Sequence, residues 1–466
     1  LEGFNFTYSE INSNANNIFD ANSSASVISV KKQLYDEVFL SSLPMELSNL
    51  VALGKERCID YQNKKLSKRE FLNLTKRYGM SSVMLASAGI GGAFSFANIA
   101  SAAESTYEKR FKKEAKFTLK FGASGFSPAT EGTLVTGGVH FARDLEERTD
   151  GEIRVEYIGQ NQICGELSCV KKTQAGIVDM FTAATQNSAG GAPYLNVLDY
   201  AYMFPSRAAQ YNFMYHPDSE KLLREPLRKR HGIHMLFSHC ELRGLMLGAS
   251  WKDKPRVTSI NDLAGTKNRV TGTQLGRITM QLLGLNPVPV AWEETLDGLK
   301  QGLIDGAETW ASAAAYANMA PVLGQVVDLR MFSGTEATSI NASVFDGLPG
   351  ELQDAVMESA YQTQIYVQNA QEAALMNVVG ASNPQGPNTI FGKANLPFVE
   401  LSKEALKEAE ERSSPEFNPQ PWDQWRERLN NWSGGHDTYA EIHKIAREVS
   451  PNMLAQNVEP RRWWRS

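Results

Sequence analysis

Arg269 has the side chain and the setting in this chain best suited to binding chemistry. It lies at the end of a short segment, Lys267-Asn268-Arg269-Val270, and Thr271-Gly272-Thr273 follows it and opens a helix. A guanidinium fork donates two parallel hydrogen bonds, and a helix start offers N–H groups without partners, so the two together receive an anion. A carboxylate suits arginine better than lysine, because the planar fork matches its two oxygens. Trp292, Glu308, Thr309 and Trp310 follow in the same block, and Arg243 precedes it. Two indoles flanking an arginine point to an acid with a flat or apolar body. Pairing of Arg269 with a neighbouring carboxylate such as Asp305 is the competing structural role.

Other chemistry is sparse. The chain has no Gly-x-Ser-x-Gly elbow, no Walker loop, no His-Glu-x-x-His and no paired Cys-x-x-Cys. Gly89-Ile90-Gly91-Gly92-Ala93-Phe94 ends in Phe94 and follows no strand, so it is not a nucleotide loop. His231 and His234 are near neighbours, but Arg228-Lys229-Arg230 adjoin them and would repel a cation. No metal and no cofactor is expected. The formal charge is −5 over 466 residues, with no basic run suited to nucleic acid. These features favour a binding protein over an enzyme.

The elements that must position Arg269 are legible from periodicity. Leu263 to Trp310 reads as strand, loop, helix, strand, helix, strand. The same grammar starts at Lys116: a strand over Phe117 to Ala123, a helix over Leu134 to Arg148 closed by Thr149-Asp150-Gly151, and a strand over Gly151 to Tyr157. A helix over Glu166 to Ala175, capped by Gly176, leads into a strand over Ile177 to Ala183. Lys172-Thr173-Gln174-Ala175-Gly176-Ile177-Val178-Asp179 echoes Lys300-Gln301-Gly302-Leu303-Ile304-Asp305. Two such units predict two α/β lobes, whose ligands sit at strand ends and in the cleft between them. A helix from Leu348-Pro349-Gly350-Glu351 to Asn377 is roughly 40 Å long and can cross both lobes. Another helix runs from Ser402 to Arg412. The tail from Ser413 holds Trp422, Trp425, Trp432, Trp463 and Trp464, and such density predicts docking onto the body.

Upstream, Lys64-Lys65-Leu66-Ser67-Lys68-Arg69-Glu70-Phe71-Leu72 and Lys76-Arg77 precede a weakly apolar run, Met80 to Ala97. Ala100-Ser101-Ala102 then supplies small residues at a cleavage position. Basic, apolar, small is the order of an export signal, with a retained membrane anchor as the alternative. Ser67-Lys68-Arg69-Glu70-Phe71-Leu72 resembles a twin-arginine motif with Lys in place of the first Arg. Asn12 to Ser26 has the composition of a disordered tail. Cys58 would leave with the signal. Cys164 and Cys169 sit at a loop-to-helix junction, where a local disulfide or two free thiols both fit; an oxidising compartment favours the bridge. Cys240 reads as a buried small hydrophobe.

Several motifs in order resemble one family. They are Glu147-Arg148-Thr149-Asp150-Gly151-Glu152-Ile153, Val197-Leu198-Asp199-Tyr200-Ala201-Tyr202-Met203-Phe204-Pro205 and Asp262-Leu263-Ala264-Gly265-Thr266-Lys267-Asn268-Arg269-Val270. Asp305-Gly306-Ala307-Glu308-Thr309-Trp310 and Phe345-Asp346-Gly347-Leu348-Pro349 complete the set. From Lys116 to Arg412 the chain resembles the solute-binding proteins of tripartite ATP-independent periplasmic (TRAP) transporters, dicarboxylate-binding type. The resemblance implies a fold like that of the type II periplasmic binding proteins, two α/β lobes joined by a hinge with a long helix spanning both. It implies a periplasmic carrier that delivers a small organic acid to small and large membrane permease subunits, as a monomer or a homodimer. Residues 1–102 would form an extension and export signal. Lobe I would take 116–241 and 335–375, lobe II 242–334 and 376–412, with 413–466 as a C-terminal extension.

The resemblance also assigns roles. Arg269 is implied to pair with the substrate carboxylate, with Arg243 as a second arginine. Trp292 is implied as an aromatic contact, and Thr309, beside Glu308 and Trp310, as a polar one. Ser124, Phe126, Thr185 and Gln186 fall on ligand-lining positions of lobe I. Ala184 stands where a sialic-acid-binding relative carries glutamate, which argues against an amino sugar acid. A sulfonate ligand and a secreted enzyme on the same two-lobed fold are the alternatives.

Overall fold

Two long strands carry the architecture. In the computed structural model, which describes residues 111–465, β4 (Ile233–Gly248) and β8 (Leu323–Asn341) pair antiparallel over nearly their whole length. One half of the sheet adds β3 (Met180–Ala184), β1 (Phe117–Ala123) and β2 (Ile153–Ile158) to the end of β8. The other half adds β7 (Gly306–Thr309), β5 (Lys267–Val270) and β6 (Asn286–Pro289) to the end of β4, while β9 (Phe398–Glu400) pairs with the start of β8. The strand order is β2-β1-β3-β8-β4-β7-β5-β6. Each half therefore forms one α/β lobe, and β4 and β8 run through both.

The register of these strands slips between Arg243 and Leu245 among other points, an irregularity of the kind that lets paired strands bend. At Gly244 a Cβ would lie 2.3 Å from the backbone oxygen of Val327, so only glycine allows the two strands to approach there. Neither strand is visible as a period-two pattern. All sixteen residues of β4 are buried, because both of its faces are covered, and a strand covered on both faces loses its polar alternation.

The predicted α/β units are present, with shifted boundaries. The first helix starts at Gly138 rather than Leu134. Gly137 takes a left-handed conformation, φ 81°, and the Glu131 carboxylate accepts the N–H groups of Thr136 and Gly137 at 3.1 Å, holding the entry as a turn. The second helix is only Cys169–Gln174, because Cys164 and Cys169 are joined in a disulfide that keeps the residues between them in a loop. β3 begins at Met180, after Gly176, φ 70°, reverses the chain. The block from Leu263 to Trp310 keeps its order, with helices at Gln274–Leu282 and Trp292–Lys300.

The 25-residue helix Gly350–Ala374 packs on β4 and on Gly138–Arg148, and a π-helical turn, Leu375–Val379, continues it into the core of the second lobe. The tail docks on the first lobe. Trp422 packs edge-on against Tyr200 at 5.7 Å, and Trp463 covers the guanidinium of Arg224 at 4.4 Å, all of them fully buried. Gln368 of the long helix donates to the carbonyls of Ala455 and Val458 at 2.6 and 3.0 Å, fixing the last turn. The upstream extension, the export signal with its twin-arginine-like motif, and Cys58 lie outside the described residues. Among the described residues no helix is long and apolar enough to cross a membrane.

Candidate ligand cleft

β3, β5 and β7 all end at one place, and the residues at their ends meet across the two lobes. Ala184 closes β3, Arg269 lies in β5, and Thr309 closes β7 with Trp310 as the cap of the next helix, Ala311–Tyr316. Trp292 is the first residue of its helix, just past β6. The cavity between them is lined by Arg243, Arg269, Trp292, Thr309, Trp310 and Tyr316 from one side, and by Phe126, Glu166, Ala184 and Asn187 from the other. Its volume is about 20 Å³, room for about one water molecule. A four-carbon acid needs several times that, so admission requires the lobes to part.

Arg269 is 1% exposed. Its Nε donates to the carbonyl of Val290 at 3.1 Å and one terminal nitrogen donates to the carbonyl of Glu308 at 3.2 Å. Backbone oxygens thus aim the fork while its remaining N–H groups stay available. Asp305 does not compete for it, because that carboxylate accepts the N–H of Lys267 at 2.8 Å. Burial lowers the Arg269 pKa to about 10, opposed by the nearby carboxylate of Glu308, so the group is charged at neutral pH. Its guanidinium carbon stands 5.4 Å from the Trp292 ring centre, within cation–π range. Trp292 Nε1 donates to the Tyr316 hydroxyl at 2.8 Å, which fixes the indole plane.

Arg243 is held differently. Its Nε donates to the Glu308 carboxylate, a second nitrogen donates to the Glu308 carbonyl at 3.4 Å, and a third to Gln186 Oε1 at 3.5 Å. The Trp310 ring lies 4.7 Å from its guanidinium carbon. The other Glu308 oxygen sits 3.9 Å from Arg269. One carboxylate therefore stands between two arginines, neutralising Arg243 more than Arg269.

Of the residues singled out from sequence, Arg269, Arg243, Trp292, Thr309, Trp310 and Phe126 line the cavity. Ser124, Gln186 and Glu308 stand one layer behind and hold lining groups, and Thr185 donates to Gln186 Oε1 at 3.5 Å. Ser124 donates to Glu166, while Gln186 donates to Asp199 Oδ1 and Ser333 O at 2.8 and 2.6 Å and so fixes the oxygen that faces Arg243. Burial pushes the Asp199 carboxyl up to about 8.

Glu166, Asn187, Ala313 and Tyr316 were not read as site residues. Glu166 is the important one. It lies inside the Cys164–Cys169 disulfide loop, 5% exposed, with one oxygen accepting from the Ala184 N–H and Asn187 Nδ2, both at 3.0 Å, and the other from Ser124. Burial raises its pKa, and those three donors pull it back. Its sequence surroundings resemble any helix start, so only the loop geometry marks it. Among the described residues no cluster of His, Cys, Asp and Glu is arranged to hold a metal ion.

The family model for bacterial extracellular solute-binding protein, family 7, matches residues 126–413. The 2,3-diketo-L-gulonate-binding periplasmic protein of Escherichia coli is 24% identical over 230 residues, 48% of this chain and 66% of that protein. An uncharacterized protein of Salmonella typhimurium is 29% identical over 184 residues, 37% of this chain and 52% of its own length. The chain thus spans about half to two thirds of these relatives. A TRAP periplasmic solute-binding protein of Sulfurospirillum deleyianum, solved with bound succinate, superposes with a TM-score of 0.57 at 17% identity, covering 71% of this chain and 100% of that one. The galactonate complex of a sugar acid binding protein from Advenella mimigardefordensis gives 0.59 at 17% identity, covering 73% and 100%. Both likenesses concern the fold. With its two-lobed sheet, its cleft at the strand ends and a family match over most of the described residues, this chain belongs to the bacterial extracellular solute-binding proteins of family 7.

Proposed function

We propose that this protein is the extracytoplasmic solute-binding component of a TRAP transporter, which captures a small organic acid through Arg269. The observation that carries the reading is the buried guanidinium of Arg269 on the cavity wall, aimed by two backbone carbonyls and with donors left over. A charge-assisted hydrogen bond to a carboxylate contributes about 1.5–3 kcal/mol, and no neighbouring side chain takes up the whole fork. Arg243 adds positive potential, Thr309 a polar contact, and Phe126, Trp292 and Trp310 the walls for the acid's body.

Capture proceeds by hinge closure. One lobe is formed around residues 116–241 and 335–375 and the other around 242–334 and 376–412, with β4 and β8 bending between them. Release goes to the small and large permease subunits in the membrane, and the site of action is the periplasm. The protein binds rather than transforms its ligand. The lining residues include no histidine, lysine or cysteine, and the one acid among them, Glu166, accepts from three donors rather than activating a nucleophile.

A thermal-shift screen against carboxylates and sulfonates tests the reading. A hundredfold excess over Kd stabilises by about 2.7 kcal/mol, so the cognate acid gives a large shift and is recovered unchanged. Turnover of the acid, or no shift with any acid, would sink it.

A further inference from the structure

The two sides of the cavity carry opposite charge. Both arginines come from β4 and β5, on the side of Trp292 and Trp310. The other side contributes Glu166, held by Ser124, Asn187 and the backbone of Ala184, and no lysine or arginine. Behind it stands a second buried acid. Glu336 of β8 is 1% exposed and lies directly across from Ala184 in the register of β3 and β8. Opposed residues of an antiparallel pair share a face of the sheet, so Glu336 stands beside a residue that lines the cavity. Neither of its carboxylate oxygens has a hydrogen-bond partner among the described residues. Leaving a buried carboxylate without a donor is costly, and that observation is independent of Glu166.

We propose that the ligand is a compact zwitterion, with its carboxylate on Arg269 and a cationic nitrogen directed at Glu166 and Glu336. This rests on the reading of Arg269 as the carboxylate receptor and names the other end of the molecule. The charge balance supports it. Glu308 neutralises Arg243, so one free positive charge faces an acidic wall. A dicarboxylate would set its second carboxylate against the acid of Glu166, and two carboxylates crowded into a site without water repel strongly. The aromatic lining agrees, because Phe126, Trp292, Trp310 and Tyr316 surround the space between the two ends, and ring faces attract a nitrogen cation, an alkylated one included. Glu166 is also unusually well fixed. The disulfide closes the loop that carries it, and a donor on each oxygen leaves its position set before a ligand arrives.

Calorimetry on the full chain decides it, using three series matched in chain length: straight dicarboxylates such as succinate, ω-amino acids such as 4-aminobutyrate, and their ω-trimethylammonio counterparts. The expected result is binding of a member of a zwitterionic series at least tenfold tighter than the matched dicarboxylate. Glu166→Gln is expected to narrow that preference at least tenfold, mainly by weakening the zwitterion. Glu336→Gln, which removes the acidic group without touching the disulfide loop, is expected to narrow it in the same direction. A dicarboxylate bound as tightly as its matched zwitterion, with affinity lost in Arg269→Ala, would overturn the proposal while leaving the acid-binding reading intact. A zwitterion preference unchanged in both glutamine variants would overturn it too. Failure of every series would overturn this proposal, and failure of every acid in the thermal-shift screen as well would overturn both.

Discussion

Arg243 and Glu308 form a side-chain ion pair at the back of the cleft, each no more than 2% exposed, with Arg243 Nε donating to the carboxylate. Glu308 also presents its carbonyl to both arginines, at 3.4 Å from Arg243 and 3.2 Å from Arg269. A buried pair is weak evidence of net stabilisation, but removal of one partner leaves an uncompensated charge that costs about 3–5 kcal/mol. Glu308→Ala is therefore expected to lower unfolding stability by that amount. The double variant Glu308→Ala/Arg243→Met is expected to recover most of it. Urea unfolding curves of the single and double variants check this, and equal losses in both would refute it.

Arg269 should behave as a grip rather than a strut, because its protein partners are mainly backbone carbonyls. Arg269→Ala is expected to weaken binding of the cognate acid by two orders of magnitude or more. Arg269→Lys keeps the charge but loses the fork, so a loss of about tenfold or more is expected. Calorimetry showing unchanged affinity in the alanine variant would assign Arg269 to structure alone.

Trp310 is seated against a glycine. A Cβ on Gly334 would lie 1.5 Å from Trp310 Nε1 and 2.2 Å from the backbone oxygen of Glu241. Gly334→Ala is expected to push the indole into the cavity and reduce ligand affinity at least tenfold. Near-ultraviolet dichroism reports the displaced indole and calorimetry the affinity. A variant that binds normally would show that Trp310 does not shape the cavity.

Glu336 gives a pH test with a definite sign. Burial lifts its folded pKa well above the unfolded value, with Glu166 pushing the same way and Arg243 opposing. An acid shifted upward costs stability once the pH exceeds its unfolded pKa, and that cost disappears as pH falls towards about 4. Glu336→Gln is expected to be more stable than the parent at pH 7–8, with the advantage shrinking towards pH 4. Glu166 and Asp199 are also raised by burial, so the difference between the two proteins carries the information. Parallel stability curves would contradict the assignment.

Much of the cleft was legible because its residues occupy positions that local structure defines. The Leu263 to Trp310 block has alternating strand and helix periods, and its strand ends place Arg269, Thr309 and Trp310 without any knowledge of long-range contacts. Glu166 was not legible. Its importance comes from a loop that the Cys164–Cys169 bridge closes and from Ser124, Ala184 and Asn187, which are 42, 18 and 21 residues away in sequence. The hinge strands escaped for a different reason. With both faces covered, their sequences carry no alternation for a period to reveal.

The sequence by itself determined the α/β units, the long helix, the tryptophan-rich tail that docks, and an arginine at a strand end suited to an acid. All of these depend on local periodicity, capping and residue type. Only the tertiary structure decided which lobe carries which charge. Arg243 and Arg269 lie on one wall and Glu166 on the other, with Glu308 already holding Arg243 and Glu336 buried behind Ala184. Electrostatic complementarity is a sum over groups brought close by folding, and their separation along the chain does not encode it.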